Sequence, residues 1–199
     1  MGDVLLVRHG ETEWALTGRH TSWTDVTLTG RGREQARAVA PLVRSHHIAA
    51  AFVSPMRRAR ETAELVGLDG VRLDADLCEW DYGGYEGLTT VEIQRTRPDW
   101  FLFRDGVAEG PAEHPGESPE QVGERADRML AKVDAALANT EGSVVLVAHG
   151  HFLRVLTARR LGLPPSGGAL FLLGTGTVGR LSTEHGRPVV ASWNVRPPS

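Results

Sequence analysis

The sequence predicts an α/β protein: a single three-layer α/β/α domain with a mostly parallel central sheet and helices on both faces. Three observations point there. The runs DVLLV, AAAFVSP and GSVVLVAHG are short, apolar and end in polar residues, the pattern of strands buried on both faces. Helical periodicities lie between and after them, in the order β-α-β-α, an irregular middle, then α-β-α. Finally, 199 residues with 41% hydrophobic content suffice for one core, so residues 1–199 are read as one domain.

The elements follow in chain order. After the first strand, Thr29 caps a helix running to about His46, with Ala36, Val39, Ala40 and Val43 on its apolar stripe. The second strand ends at Ser54-Pro55, where Ser reads as the cap and Pro as the first helical residue of the next helix. Residues 104–119, rich in Gly, Pro and acids, read as a long loop. Ser118 and Gln121 then form a capping box for a helix whose apolar face is Val122, Ala126, Met129, Leu130, Val133 and Leu137. The third strand precedes a further helix, and the tail offers two or three strands that extend the sheet as a hairpin.

Composition narrows the function classes. A net charge of −3 is too small to draw in nucleic acid or an acidic membrane, so neither partner is expected. No run reaches the roughly 20 apolar residues of a bilayer span, and the first residues lack the form of a signal peptide. Cys78 is the only cysteine, which excludes an intramolecular disulfide and paired-cysteine metal sites. These features predict a soluble, cytoplasmic protein.

Ligands of such sheets gather beyond the carboxyl ends of the strands. Here those ends carry Arg8-His9-Gly10, Ser54-Pro55 followed by Arg57, Arg58 and Arg60, and His149-Gly150-His151. Two histidines at equivalent strand ends, with arginines beside them, suit a compact anion, and phosphate above all because guanidinium forks onto its oxygens. Arg58 is expected to point inward, while Arg57 and Arg60 read as a solvated helix face. His46, His47, His185 and Cys78 stay outside the site. No metal is expected, since Arg8 and Arg58 would repel a dication and no carboxylate cluster offsets them. GTGTVG, residues 174–179, matches a dinucleotide fingerprint by letter, but no helix pattern follows and it reads as a strand turn.

LLVRHGETEW, SPMRRARETA, EWDYGGYEG and VAHGHFLRVL, in that order, resemble the four signature blocks of the histidine phosphatase superfamily, in its phosphoglycerate-mutase-like branch. The resemblance implies that His9 is the nucleophile and forms a phosphohistidine, and that Arg8, Arg58 and His149 hold the non-bridging oxygens. It also implies that Glu79 is the proton donor, a choice over Asp81 or Glu86 that the residues alone leave open. Thr21, Ser22, Tyr82 and His151 would line the pocket around the phosphate or its organic group. No cofactor is implied, and dimers are common among such proteins.

Ala15, Trp80-Asp81 and a short middle segment without an adjacent basic pair depart from the family's mutases. They lean towards a phosphomonoesterase acting on a small phosphorylated metabolite, of the acid or sugar-phosphate phosphatase type. A cofactor-dependent phosphoglycerate mutase is the alternative, and a non-catalytic phosphate-binding scaffold the remaining one. His9 must be neutral to attack while the donor is protonated, so a bell-shaped pH profile with an acidic to neutral optimum is expected.

Overall fold

The computed structural model describes residues 2–196. The strands are β1 Val4–Arg8, β2 Ile48–Val53, β3 Arg72–Leu73, β4 Ser143–Ala148, β5 Val178–Glu184 and β6 Arg187–Val195. They form one sheet in the order β3-β2-β4-β1-β5-β6. The pairs β1 with β4, β2 with β4 and β2 with β3 are parallel, and β5 runs antiparallel to both neighbours. The sheet is therefore mostly parallel, as expected, and the tail is a hairpin turning at His185-Gly186, both with positive φ.

The helices are α1 Glu13–Leu16, α2 Gly30–Arg44, α3 Arg57–Val66, α4 Thr90–Thr96, α5 Leu102–Asp105, α6 Pro119–Asn139 and α7 Gly150–Arg160. Alternation along each strand divides the core in two. Leu5, Val7, Ala51, Val53, Val145 and Val147 pack against Val39 and Val43 of α2 and Ala59, Ala63 and Val66 of α3. Val4, Leu6, Phe52, Val144, Leu146 and Ala148 face the other way, onto Val122, Met129 and Val133 of α6 and Phe152, Val155 and Leu156 of α7. Strands that must serve two apolar layers have no polar face, hence their unbroken apolar runs.

The caps follow the sequence in two cases. Thr29 Oγ1 accepts from Gly32 N at 3.0 Å, and Ser118 with Gln121 makes both halves of a capping box on α6. The third differs. α3 starts at Arg57, two residues later than expected, with Met56 as its cap and Pro55 outside the helix. Ser54 is drawn away because its Oγ pairs with His149 Nε2 at 2.7 Å. At the amino end of α3 the first N–H is already taken, since Asp25 Oδ1 accepts from Arg57 N at 2.8 Å. The middle segment is also more ordered than its composition suggests, with α4 held by a Thr89–Glu92 capping box.

Candidate functional site

Register brings the predicted residues to one rim. Arg8 pairs with Ala148 and Val53 with Val147, so β1, β2 and β4 end at one level. His9 N donates to Ala148 O at 3.0 Å and its carbonyl accepts from Gly176 N at 3.0 Å, so the GTGTVG turn serves to hold the His9 backbone. A Cβ at Gly10 would strike the Gly32 carbonyl oxygen, so glycine is what lets α2 close beneath the site.

His9 is buried, and its Nδ1 lies 2.7 Å from Gly10 O. Burial, with Arg58 and Arg8 adding to it, holds its pKa well below the ordinary histidine value. A neutral ring bonded this way carries its proton on Nδ1 and keeps the Nε2 lone pair free. Beside it, Arg8 Nη1 donates 2.5 Å to Leu173 O, and Arg8 Nε is the one buried side-chain N or O among the described residues without a partner. An orphaned cationic donor next to a free imidazole nitrogen marks a place for an anion's oxygen.

Arg58 and His149 stand behind this pair, both with no exposed surface. Arg58 uses four of its five N–H bonds on His149 Nδ1, Thr24 O, Thr21 O and Ser22 O, at 3.3, 3.1, 3.3 and 2.9 Å. His149, whose ring centroid is 5.1 Å from that of His9, accepts from Arg58 through Nδ1 and meets Ser54 Oγ through Nε2. Burial, then Arg58 and His9, keeps it neutral. Ser22 turns away from the cleft: its N and Oγ donate to the Glu86 carboxylate at 2.9 and 2.8 Å, and Thr24 N donates to Glu86 at 3.0 Å. Glu86 thus fastens the 21–24 turn whose carbonyls clamp Arg58.

Glu79 is buried at the amino end of α7, where Phe152 N and His151 N donate to its carboxylate at 2.8 and 3.1 Å, and Trp80 N adds a third bond at 2.9 Å. Tyr82 OH meets His151 Nδ1 at 2.6 Å. Burial, with Glu79 adding to it, raises the phenol well above its ordinary value, and burial with Arg154 lowers His151, so both are neutral and the phenol donates.

These groups enclose a cleft of about 300 Å³ lined by Arg8, His9, Thr21, Glu79, Tyr82 and His151. Arg58, His149 and Ser22 lie outside that lining. Three titratable lining residues were not singled out from sequence. His20, brought to about 4 by burial, packs 4.7 Å from Tyr82. Arg19 and Arg154 are cations without a carboxylate within 4 Å among the described residues. Arg154 follows His151 by three positions, so helical spacing was the available signal. Tyr82 lines the cleft, whereas Trp80, Tyr85 and Trp100 belong to the core and Trp23 stacks on His114. No cluster of metal-ligating side chains occurs among the described residues.

A doubly wound sheet that offers a neutral histidine, an orphaned arginine donor and a buried carboxylate in one cleft defines a phosphate-handling enzyme. The chain belongs to the histidine phosphatase superfamily (branch 1), whose sequence profile matches residues 4–196. It is 41% identical over 185 residues to an acid phosphatase of Mycobacterium tuberculosis (strain ATCC 25618 / H37Rv), covering 92% of this chain and 87% of that one. It is 31% identical over 199 residues to a probable phosphoglycerate mutase of Erwinia tasmaniensis, covering 98% and 91%. The solved structure of a Mycobacterium tuberculosis open reading frame superposes with a TM-score of 0.89 at 39% identity, over 99% of both chains.

Proposed function

We propose that this protein is a phosphomonoester hydrolase that acts on a small phosphorylated metabolite through a phosphohistidine on His9. The observation that carries the reading is the free Nε2 of a neutral His9 beside the unpartnered Nε of Arg8. Nε2 attacks phosphorus in line, the P–O ester bond breaks, and its electrons leave on the alkoxide. Glu79 supplies the proton that the alkoxide needs. Water then attacks the phosphohistidine, Glu79 takes the water's proton, and the P–N electrons return to Nε2. Arg8 and the remaining N–H of Arg58 hold the non-bridging oxygens and balance their charge. His149 orients Arg58 and reaches an oxygen only by giving up Ser54. Thr21, Tyr82 and His151 border the organic group, while Ser22 serves by positioning Arg58.

Hydrolysis is favoured over mutase activity. The higher identity is to the acid phosphatase, and the mutase relative is more distant. The basic residues of the middle segment also stay off the cleft: Arg97 donates to Tyr85 OH, Arg104 pairs with Asp105, and Arg95 is not in the lining. Phosphorus NMR with 3-phosphoglycerate and trace 2,3-bisphosphoglycerate, beside a panel of sugar phosphates, tests this. Free phosphate without 2-phosphoglycerate is expected; rapid bisphosphate-dependent 2-phosphoglycerate would make the protein a mutase. The mechanism draws on no metal, so a chelator is expected to leave the rate unchanged, and a loss restored by a divalent ion would refute that route. A cytoplasmic location and a homodimer belong to the same proposal; no helix among the described residues is long and apolar enough to cross a membrane.

A further inference from the structure

Two cations of the cleft have no task in the chemistry above. Arg154 is half-buried near the start of α7, with Nε donating 3.0 Å to Gly168 O and Nη2 donating 3.1 Å to Ala169 O. Its guanidinium lies over the Phe103 ring, 4.5 Å from the centroid. These contacts fix its plane and leave Nη1 uncommitted on a wall shared with Leu172 and Leu173. Arg19 lines the same cleft, held by one bond of 2.7 Å to Gly87 O.

Several arginines outside the cleft have carboxylate partners: Arg125 has Glu117, Arg159 has Asp127 and Arg160 has Asp134. In the cleft, Arg8, Arg19 and Arg154 face the single carboxylate of Glu79. A phosphoryl dianion held by Arg8 and Arg58 leaves Arg154 and Arg19 unanswered. Arg154 is half-buried, and withdrawing a cation from water without a partner costs stability, so its partner is expected to arrive with the ligand; Arg19 is exposed and contributes only its charge at the cleft's edge.

Resting on the phosphatase reading, we infer that the preferred substrate carries a second anionic group, a carboxylate or a second phosphoryl group, which Arg154 binds through Nη1 while Arg19 attracts it. Such a substrate lies with its ester phosphate at His9 and its second anion towards Arg154, and the Tyr82–His151 pair beside it fixes the ring that borders the path between them.

Two matched pairs test this through kcat/KM for phosphate release. Glycerol 3-phosphate and 3-phosphoglycerate differ by a hydroxymethyl group against a carboxylate; fructose 6-phosphate and fructose 1,6-bisphosphate differ by a phosphoryl group. A charge-assisted hydrogen bond is worth about tenfold or more, so the doubly anionic member is expected to be favoured by about that factor in at least one pair. The pair that discriminates tells carboxylate from phosphoryl recognition. Arg154→Met is expected to collapse the ratio to about twofold or less, and Arg154→Lys to retain part of it. Because Arg154→Met also loses its contacts with Phe103, Gly168 and Ala169, the exposed Arg19→Met provides a variant with little folding risk, expected to lower the same ratio about threefold.

Ratios near one in both pairs, with every member hydrolysed, would overturn the second-anion inference and leave the phosphatase intact. Equal losses for both members in Arg154→Met would do the same, making Arg154 a phosphoryl or structural group. Failure to release phosphate from any member, and from p-nitrophenyl phosphate, would remove the phosphatase reading and this inference with it.

Discussion

The carboxyl ends of β1 and β4 carry the same dipeptide, His-Gly, in adjacent parallel strands, yet their two imidazoles are committed in opposite ways. His9 gives Nδ1 to its neighbour's carbonyl and keeps Nε2 for the cleft. His149 spends both nitrogens, one on Arg58 and one on Ser54. Both are buried and neutral, so protonation does not separate them. Hydrogen-bond partners do. One ring is left with an unused lone pair and the other is made part of the frame that aims Arg58, which in turn keeps a positive charge close to His9. A residue type at a strand end is therefore only half of a catalytic assignment; what its other nitrogen touches is the rest.

Breaking the two histidines in turn separates their roles. His9→Ala is expected to lower kcat by about 10⁴-fold or more while leaving the fold intact, because it removes the bond-forming atom itself. His149→Ala is expected to cost less activity, about 10²-fold to 10³-fold, but more stability. It leaves Arg58 Nε buried without a partner and Ser54 Oγ with only the long 3.4 Å bond from Met56 N, worth about 2–4 kcal/mol in a urea titration. If His149→Ala abolished turnover without changing stability, the division of labour would be wrong.

Acid titration of stability sharpens the same contrast. His9, His20, His149 and His151 all have folded pKa values pushed down by burial, His20 to about 4. The unfolded chain takes up their protons near its ordinary value of about 6.5 and the folded chain does not. Their contribution is thus fully present above about pH 6.5 and is lost as the pH falls towards the folded values, by up to about 1.4 kcal/mol per pH unit for each histidine. The melting temperature is expected to fall between pH 7 and pH 5, with a shallower slope in a His20→Phe variant. A flat profile would mean that these rings are not held neutral. The smallest expected effect is at Glu86, which reaches Arg58 only through the 21–24 turn. Glu86→Ala is expected to lower kcat about tenfold and to weaken inhibition by vanadate or phosphate, with Glu86→Gln intermediate. An unchanged vanadate affinity would detach Glu86 from Arg58.

Much of this was legible because it is local. Apolar runs buried on two faces announced β1, β2 and β4, and the caps at Thr29 and Ser118 lie within a few residues of the groups they bond. The strand ends gathered Arg8, His9, Arg58 and His149 because parallel strands in register must end together. What escaped depends on distant partners. Ser54 looked like a helix cap until His149, 95 positions away, took its hydroxyl. Ser22 reads as a pocket hydroxyl but answers to Glu86. His20 carries no local pattern, and only the cleft's closure brings it to His151 and Tyr82, whereas Arg154 sits one helical turn after His151 and its spacing was there to be read.

The central claim is that phosphorus bonds to His9 Nε2. The direct measurement is to quench the enzyme in alkali during turnover of a phosphate ester, digest it, and locate phosphohistidine by mass spectrometry, with phosphorus NMR distinguishing the Nε2 from the Nδ1 isomer. The Nε2 isomer is expected on the peptide containing His9, and none in His9→Ala. Phosphohistidine on His149 or His151, or steady turnover by His9→Ala, would contradict it.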